Sequence, residues 1–282
     1  MKITIPKYIM GKEIEGSLER VLAVSQTSSP TPDSSQSKGS LPIHVKSDLS
    51  KYIQVGINGL YGTPALISPF ELEGHNNMNY DDTHLKLHEN GLYMPTPLIF
   101  MTHFKNVIDA HKGKRSLQYA DGTNVSSSVV EDMYKHFTTN HKNVYGRKDV
   151  GAWTWLNGKF VESKGANGLD IEYLTEIRKG KHVDFIVKRE RLETALMLDR
   201  YVDLSFTKQG FAAPSAESSN QSYKQGENIY FYYPRKDNVA RFNAYSGRAY
   251  LVCDGYPADS GSSLGVFGCA EGASAQKIGG SS

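Results

Sequence analysis

The sequence predicts an α+β fold. Three observations carry that expectation. Two segments with helical spacing and clear start signals lie in the first half of the chain. Strand-like runs dominate the second half, and polar, Ser-rich loops separate the two kinds of segment. At 282 residues and 39% hydrophobic content, the chain is long enough to bury a packed core in one large domain or two small ones.

Residues 1–24 form an N-terminal segment in which Ile9, Ile14, Leu18, Val21 and Leu22 allow one amphipathic helix. Residues 25–40 are a Ser/Pro-rich linker, and 41–278 are expected to be the main domain. From Leu41 to Phe70, Gly and Pro punctuate short apolar runs such as Tyr52-Ile53-Gln54-Val55, which read as strands and turns. Thr96-Pro97 opens a helix near 97–112, with Thr as N-cap and Pro at the first helical position; Leu98, Met101, Phe104 and Ile108 then follow helical spacing. Ser128-Val129-Val130-Glu131 matches a capping box for a second helix near 127–140. Asn157-Gly158, between the aromatic runs of Trp153 to Phe160, signals a hairpin turn. Residues 184–198 and 201–206 mix short apolar runs with charge and resist assignment. Residues 212–228 read as a long polar loop, and Ile229 to Tyr233 as a strand. Gly279 to Ser282 read as a flexible tail.

Net charge is +2 and evenly spread, so no nucleic-acid partner is expected. No apolar run reaches membrane-spanning length, and no membrane insertion is expected. Met1 to Lys7 lack the sustained apolar core of a signal peptide, which leaves localisation open. Cys253 and Cys269 are too few for a disulfide scaffold, though one bridge between them is possible. His84-Leu85-Lys86-Leu87-His88 has metal-ligand spacing for a helix, but the alternating leucines favour a strand with His84, Lys86 and His88 on a solvated face. Lys188-Arg189-Glu190-Arg191 reads as another solvated face. No metal and no cofactor are expected. The 17 tyrosines suit half-buried strands and recognition surfaces alike, since Tyr offers large contact area, few rotatable bonds and a polar tip.

Asp237 to Ala270 is the most unusual stretch. It lacks Lys, Glu, Gln, Met and Trp, which together fill 54 of the 282 positions. By chance such a 34-residue gap begins at roughly one starting point in a thousand on this composition. The gap is patterned. Phe242, Ala244 and Ser246 fall at period 2, with Asn243, Tyr245 and Gly247 between them. After Gly247-Arg248 the phase slips by one, so that Ala249, Leu251 and Cys253 form the small apolar set and Tyr250, Val252 and Asp254 the other. Alternate strand residues face opposite sides of a sheet, so one face packs and the other presents mixed side chains. A bulge or turn belongs at the slip.

The frame V-A-R-F-x-A-x-S-x-R-A-x-L-x-C-x-x-x-P-A-x-S-x-S-S-L-G-V at 239–266 resembles the C-terminal variable region of archaeal-type variable proteins of diversity-generating retroelements. Leu92 to Phe100 and Trp153 to Phe160 resemble core segments of the same proteins more weakly, and residues 1–50 show no match. The resemblance implies a C-type lectin-like domain, related to formylglycine-generating enzymes, with two helices and short antiparallel strands. It also implies a cause for the gap. In that family a reverse transcriptase mutates template adenines, and codons of the AAY type then yield fifteen residue types that exclude Lys, Glu, Gln, Met and Trp.

The interposed positions Asn243, Tyr245, Gly247, Tyr250, Val252, Asp254, Gly255, Tyr256, Asp259 and Gly261 all belong to the permitted set. The resemblance implies that these are the ligand-binding positions, with Phe267, Gly268 and Cys269 as further candidates. The implied function is non-enzymatic binding of a macromolecule, a protein by the Tyr-rich character of the surface, with display on a cell or virion surface. Two alternatives stay open at this stage. One is a lectin-fold enzyme, although Cys253 and Cys269 stand too far apart to match the closely spaced cysteine pair of formylglycine-generating enzymes. The other is a viral or cell-surface attachment protein with no diversified site. Calcium-dependent sugar binding lacks its signatures, since Glu-Pro-Asn, Gln-Pro-Asp and Trp-Asn-Asp are all absent.

Overall fold

The computed structural model describes residues 8–9, 12–13, 48–139, 151–163, 168–180, 182–216, 218–219 and 222–272. The chain divides into two units, Met1–Pro42 and Ile43–Ser282. In the first, β1 (Tyr8–Ile9) pairs antiparallel with β2 (Lys12–Glu13), so that Ile9 lies opposite Lys12. This replaces the start of the helix expected around Ile9, in keeping with the β preference of Tyr and Ile and with Gly11 between the two strands in sequence. The remainder of that expected helix, and the 25–40 linker, lie outside the described residues.

The second unit is α+β. A short 3₁₀ turn (Leu49–Lys51) leads into β3 (Ile53–Asn58) and β4 (Pro64–Ile67). Helices α1 (Tyr80–Glu89), α2 (Pro97–His111) and α3 (Ser127–Thr138) follow, and α1 adds to the two that were expected. Then come β5 (Trp153–Glu162), β6 (Leu169–Lys179), β7 (Val183–Arg191), β8 (Arg200–Asp203), β9 (Ser218–Ser219), β10 (Asn228–Tyr232), β11 (Val239–Tyr245), β12 (Arg248–Gly255) and β13 (Cys269–Glu271). Eight strands form one sheet in the order β7-β6-β5-β11-β12-β10-β8-β9, and β13-β4-β3 form a smaller one.

Helix α2 starts where its sequence signals place it. Thr96 Oγ1 accepts from the Ile99 amide, and Pro97 occupies the first turn, where its missing N–H costs nothing. Helix α3 also matches its expected span, but its cap is Ser126, whose Oγ accepts from the Val129 amide. The Ser128–Glu131 box lies inside the helix, past its cap, and Glu131 instead meets His111 and Lys135 at 2.9 and 3.0 Å.

Two further expectations are overturned. His84 to His88 lies in α1, capped by Asn79, and the buried set Tyr80, Thr83, His84 and Leu87 has helical spacing. The Leu85/Leu87 alternation is incidental to that stripe. Asn157-Gly158 makes no hairpin; β5 runs straight through it. Asn157 is fully buried, and its side chain both donates to the Leu174 carbonyl and accepts from the Leu174 amide, at 2.8 Å each, standing in for ladder bonds. The β5–β11 register shifts there, with three residues of β5 opposite Ala240 alone. A β-carbon on Gly158 would lie 3.0 Å from Ile171 Cδ1 and 3.3 Å from Pro97 Cγ, a close approach that a larger residue would fill only by moving those side chains.

The larger core lies between α2, α3 and one face of the big sheet. Phe242 of β11 packs against Phe100 and Phe104 with ring centroids 4.9 and 5.2 Å apart, and Phe267 joins through Phe100 and Phe137. A second apolar cluster gathers Tyr52, Leu66, Tyr80, Leu87, Trp155, Val239, Leu264 and Val266. Among the described residues, no helix is long and apolar enough to cross a membrane.

Candidate functional site

Strands β11 and β12 form an antiparallel hairpin turned by Ser246 and Gly247, with φ of 51° and 71°. Positive φ at both central residues is the turn geometry that matches strand twist, and it explains the phase slip at Gly247-Arg248. Phe242, Ala244, Ala249, Leu251 and Cys253 are 0–2% exposed in the larger core. Alternation turns their neighbours to the opposite face.

On that face the register builds a row across five strands. Trp153 of β5 lies opposite Asn243, Asn243 opposite Tyr250, Tyr250 opposite Tyr230 of β10, and Tyr230 opposite Tyr201 of β8. Tyr232 flanks the row. Ring centroids are 4.9 Å apart for Tyr201–Tyr230 and for Tyr230–Tyr232, and 6.1 Å for Tyr230–Tyr250. Burial raises the Tyr230 and Tyr232 pKa values, and the neighbouring carboxylates and tyrosines add to the shift. Both hydroxyls therefore stay protonated at neutral pH. Within the row, Trp153 Nε1 and Asn243 Oδ1 are shielded from solvent and have no hydrogen-bond partner among the described residues.

The ten sequence-predicted positions divide by environment. Tyr245 and Tyr256 are 59% and 63% exposed, the two most exposed large hydrophobic side chains among the described residues. Gly247 is exposed on the turn, and a β-carbon on Gly261 would meet no atom nearer than 4.0 Å. Asn243 and Tyr250 are half-buried in the row. Asp254 and Asp259 are half-buried and each bound to arginine: Arg235 bridges Asp254 and Asp199 at 3.0 and 2.9 Å, and Arg241 reaches Asp259 at 2.8 Å. Val252 is only 5% exposed, opposite Arg241 and Tyr232. Gly255 is buried, and a β-carbon there would lie 2.9 Å from the Val239 carbonyl oxygen. Val252 and Gly255 therefore act as frame.

Phe267, Gly268 and Cys269 are interior as well. Phe267 and Cys269 are fully buried, and a β-carbon on Gly268 would meet Leu72 at 2.7 Å. Cys253 and Cys269 are both free thiols, and burial pushes their pKa values well up, against thiolate chemistry.

The segment after β12 is tied to the rest of the fold by its backbone. The Tyr80 amide donates to the Pro257 carbonyl, Asn77 to Leu264, Leu72 to Val266, and Gly265 to Trp153. The chain through Tyr256 to Gly261 is thus held on a scaffold. Sequence reasoning missed Tyr201, Tyr230, Tyr232 and Trp153. The period-2 placement of Tyr230 and Tyr232 in their strand was visible, but the parallel β10–β12 pairing that brings them to Tyr250 was not.

Elsewhere, His84 and His103 are buried, and burial lowers the pKa of each to about 3. His136 Nε2 lies 2.7 Å from Glu71 Oε2, with both residues 1% exposed. Among the described residues, no group of three or more His, Cys, Asp or Glu is placed to hold a metal ion. No protein-family profile, curated protein or solved structure matches the chain.

Proposed function

We propose that this chain is a non-enzymatic ligand-binding protein with a C-type lectin-like domain, whose outward positions between 243 and 261 carry retroelement-made diversity. Its ligand is a macromolecule, a protein, met by a tyrosine-rich face. The observation that carries the reading is the coincidence of alphabet and side. Eight of the ten interposed positions are exposed or half-exposed, while Phe242, Ala244, Ala249, Leu251 and Cys253 are buried. A surface that must accept many substitutions needs loose packing on that side and a rigid packed frame beneath it. Tyr245, Tyr250 and Tyr256 supply aromatic anchors, and Asn243 and Asp259 adaptable polar contacts.

The test is the DNA that flanks the coding region. A nearby imperfect repeat of the 3′ end, beside a reverse transcriptase gene, should differ from it only at template adenines. The differences should fall in the codons of the eight outward positions and spare those of Phe242, Ala244, Ala249, Leu251 and Gly255. Differences scattered over all four template bases would overturn the proposal.

A further inference from the structure

Strand β7 ends the large sheet, and its outer edge pairs with no strand among the described residues. Most of its residues are exposed, including Val183, Phe185 and Val187 at 45%, 36% and 45%. An edge left unpaired among the described residues, with apolar side chains on it, is a template for another strand. The sequence of this edge says which strand fits. Asp184-Phe185-Ile186-Val187-Lys188 is complementary to itself when reversed: acid against base at the ends, apolar against apolar inside, and Ile186 at the centre.

We infer that β7 pairs antiparallel with β7 of a second copy, about a two-fold axis through Ile186. This register sets Asp184 opposite Lys188 of the second copy, Phe185 opposite Val187, and Ile186 opposite itself. A two-fold axis generates each of these contacts twice. Because directly opposed strand residues share a face, the two charge pairs flank the Ile186 pair on one side of the joined sheet. The Phe185–Val187 pairs cover the other side. Centring on Phe185 instead would set Asp184 against Ile186, and centring on Val187 would set Asp184 against Glu190. Of these three registers, only the one centred on Ile186 matches both charge and apolarity. Lys188 lies 2.6 Å from Glu190 on its own strand with its side chain 64% exposed, so reaching across exchanges one solvent-exposed ion pair for another.

The pairing leaves the tyrosine row open, since β12 lies four strands away from β7 in the sheet. The dimer would present two such rows, and a ligand with repeated epitopes would gain from both.

The experiment is sedimentation of the full chain over a dilution series. The wild type should approach twice the 31.3 kDa chain mass as concentration rises. Asp184→Lys and Lys188→Asp each place like charges opposite one another twice, and each should weaken self-association by about tenfold or more. An equimolar mixture of these two variants should associate again, because lysines then face aspartates. The double variant, with both charges exchanged, should dimerise like the wild type. A wild type that stays at 31.3 kDa throughout overturns the inference, and so does self-association that Asp184→Lys leaves unchanged. Loss of association in both single variants without recovery in the mixture overturns the register.

Discussion

Gly255 and Gly261 look alike in the sequence, both interposed in the same frame, yet the structure assigns them opposite roles. At Gly255 a β-carbon would lie 2.9 Å from the Val239 carbonyl oxygen and 3.2 Å from Arg241 Cδ. The arginine side chain can swing away, but the carbonyl belongs to the paired strand, so Gly255→Ala must shift backbone. Overpacking of this kind costs about 1–3 kcal/mol. Against it stands the smaller conformational freedom of alanine in the unfolded chain, about 0.4–1 kcal/mol. The net expectation is a loss of about 1–2 kcal/mol. At Gly261 the nearest atom is Leu264 Cβ at 4.0 Å, so Gly261→Ala keeps the unfolded-state gain without a steric cost. Urea denaturation followed by tryptophan fluorescence reads both. With a slope of about 2 kcal/mol per molar urea, the Gly255→Ala midpoint should fall by about 0.5–1 M, and the Gly261→Ala midpoint should stay level or rise by about 0.2–0.5 M. Equal midpoints for the two variants would refute the assignment of Gly255 to the frame.

Three further outcomes are expected. Leu251→Ala removes a fully buried side chain and should cost about 3 kcal/mol, while Tyr245→Ser on the same hairpin should cost about 1 kcal/mol or less; the same urea assay separates them, and comparable losses would reverse the face assignment. Burial holds the pKa values of His84 and His103 at about 3 in the folded chain, below the ordinary 6.5, so the unfolded chain takes up protons first as pH falls. Stability is then complete above about pH 6.5 and drains as pH drops towards 3, by about 2 kcal/mol per histidine at pH 5; a urea midpoint that holds constant from neutrality to pH 5 would contradict this. At the hairpin turn, Ser246→Asn should stabilise by a few tenths of a kcal/mol, and Gly247→Val should destabilise by about 1–2 kcal/mol, because a β-branched residue resists a φ of 71°. Thermal melts check both.

What was legible in the sequence is what local chemistry determines. Thr96-Pro97 placed α2, and the period-2 run from Phe242 to Asp254 placed the two faces of the β11–β12 hairpin. Helix α1 was hidden because its buried stripe uses Tyr80, Thr83 and His84, residues that do not read as apolar. The Asn157-Gly158 signal misled because its turn chemistry serves a different end: the Asn157 amide substitutes for backbone partners at a register shift inside β5. Burial of Val252 and Gly255 depends on Arg241, Tyr232 and Val239, whose approach is set by sheet pairing and not by neighbours in sequence. The tyrosine row needs a parallel pairing between β10 and β12, and no local pattern announces one.

On the proposed reading of a diversified surface, that pairing bears on how the surface keeps working. Tyr250 sits between Tyr230 and Asn243, and Asn243 next to Trp153. Tyr230, Tyr232 and Trp153, with the buried Tyr201 beside them in the row, lie outside the patterned segment, so substitution at 243 or 250 would not change their identity. Every sibling surface would then share a constant aromatic floor, on which Tyr245, Tyr256 and the residues at 243 and 250 are superimposed. Rigid aromatic area carries much of the binding energy in such surfaces, so baseline affinity would come from the floor and selectivity from the superimposed positions. The turn fits the same logic. An unmutated AAY codon encodes Asn, and Asn is the residue other than Gly that best accepts the left-handed φ at position 247. On that same reading, the hairpin would close with Asn at position 247 as well as with Gly. A Tyr230→Ala variant discriminates the two contributions: it should weaken binding by siblings of different specificity to a similar degree, whereas Tyr245→Ala should weaken only those siblings that carry Tyr at that position.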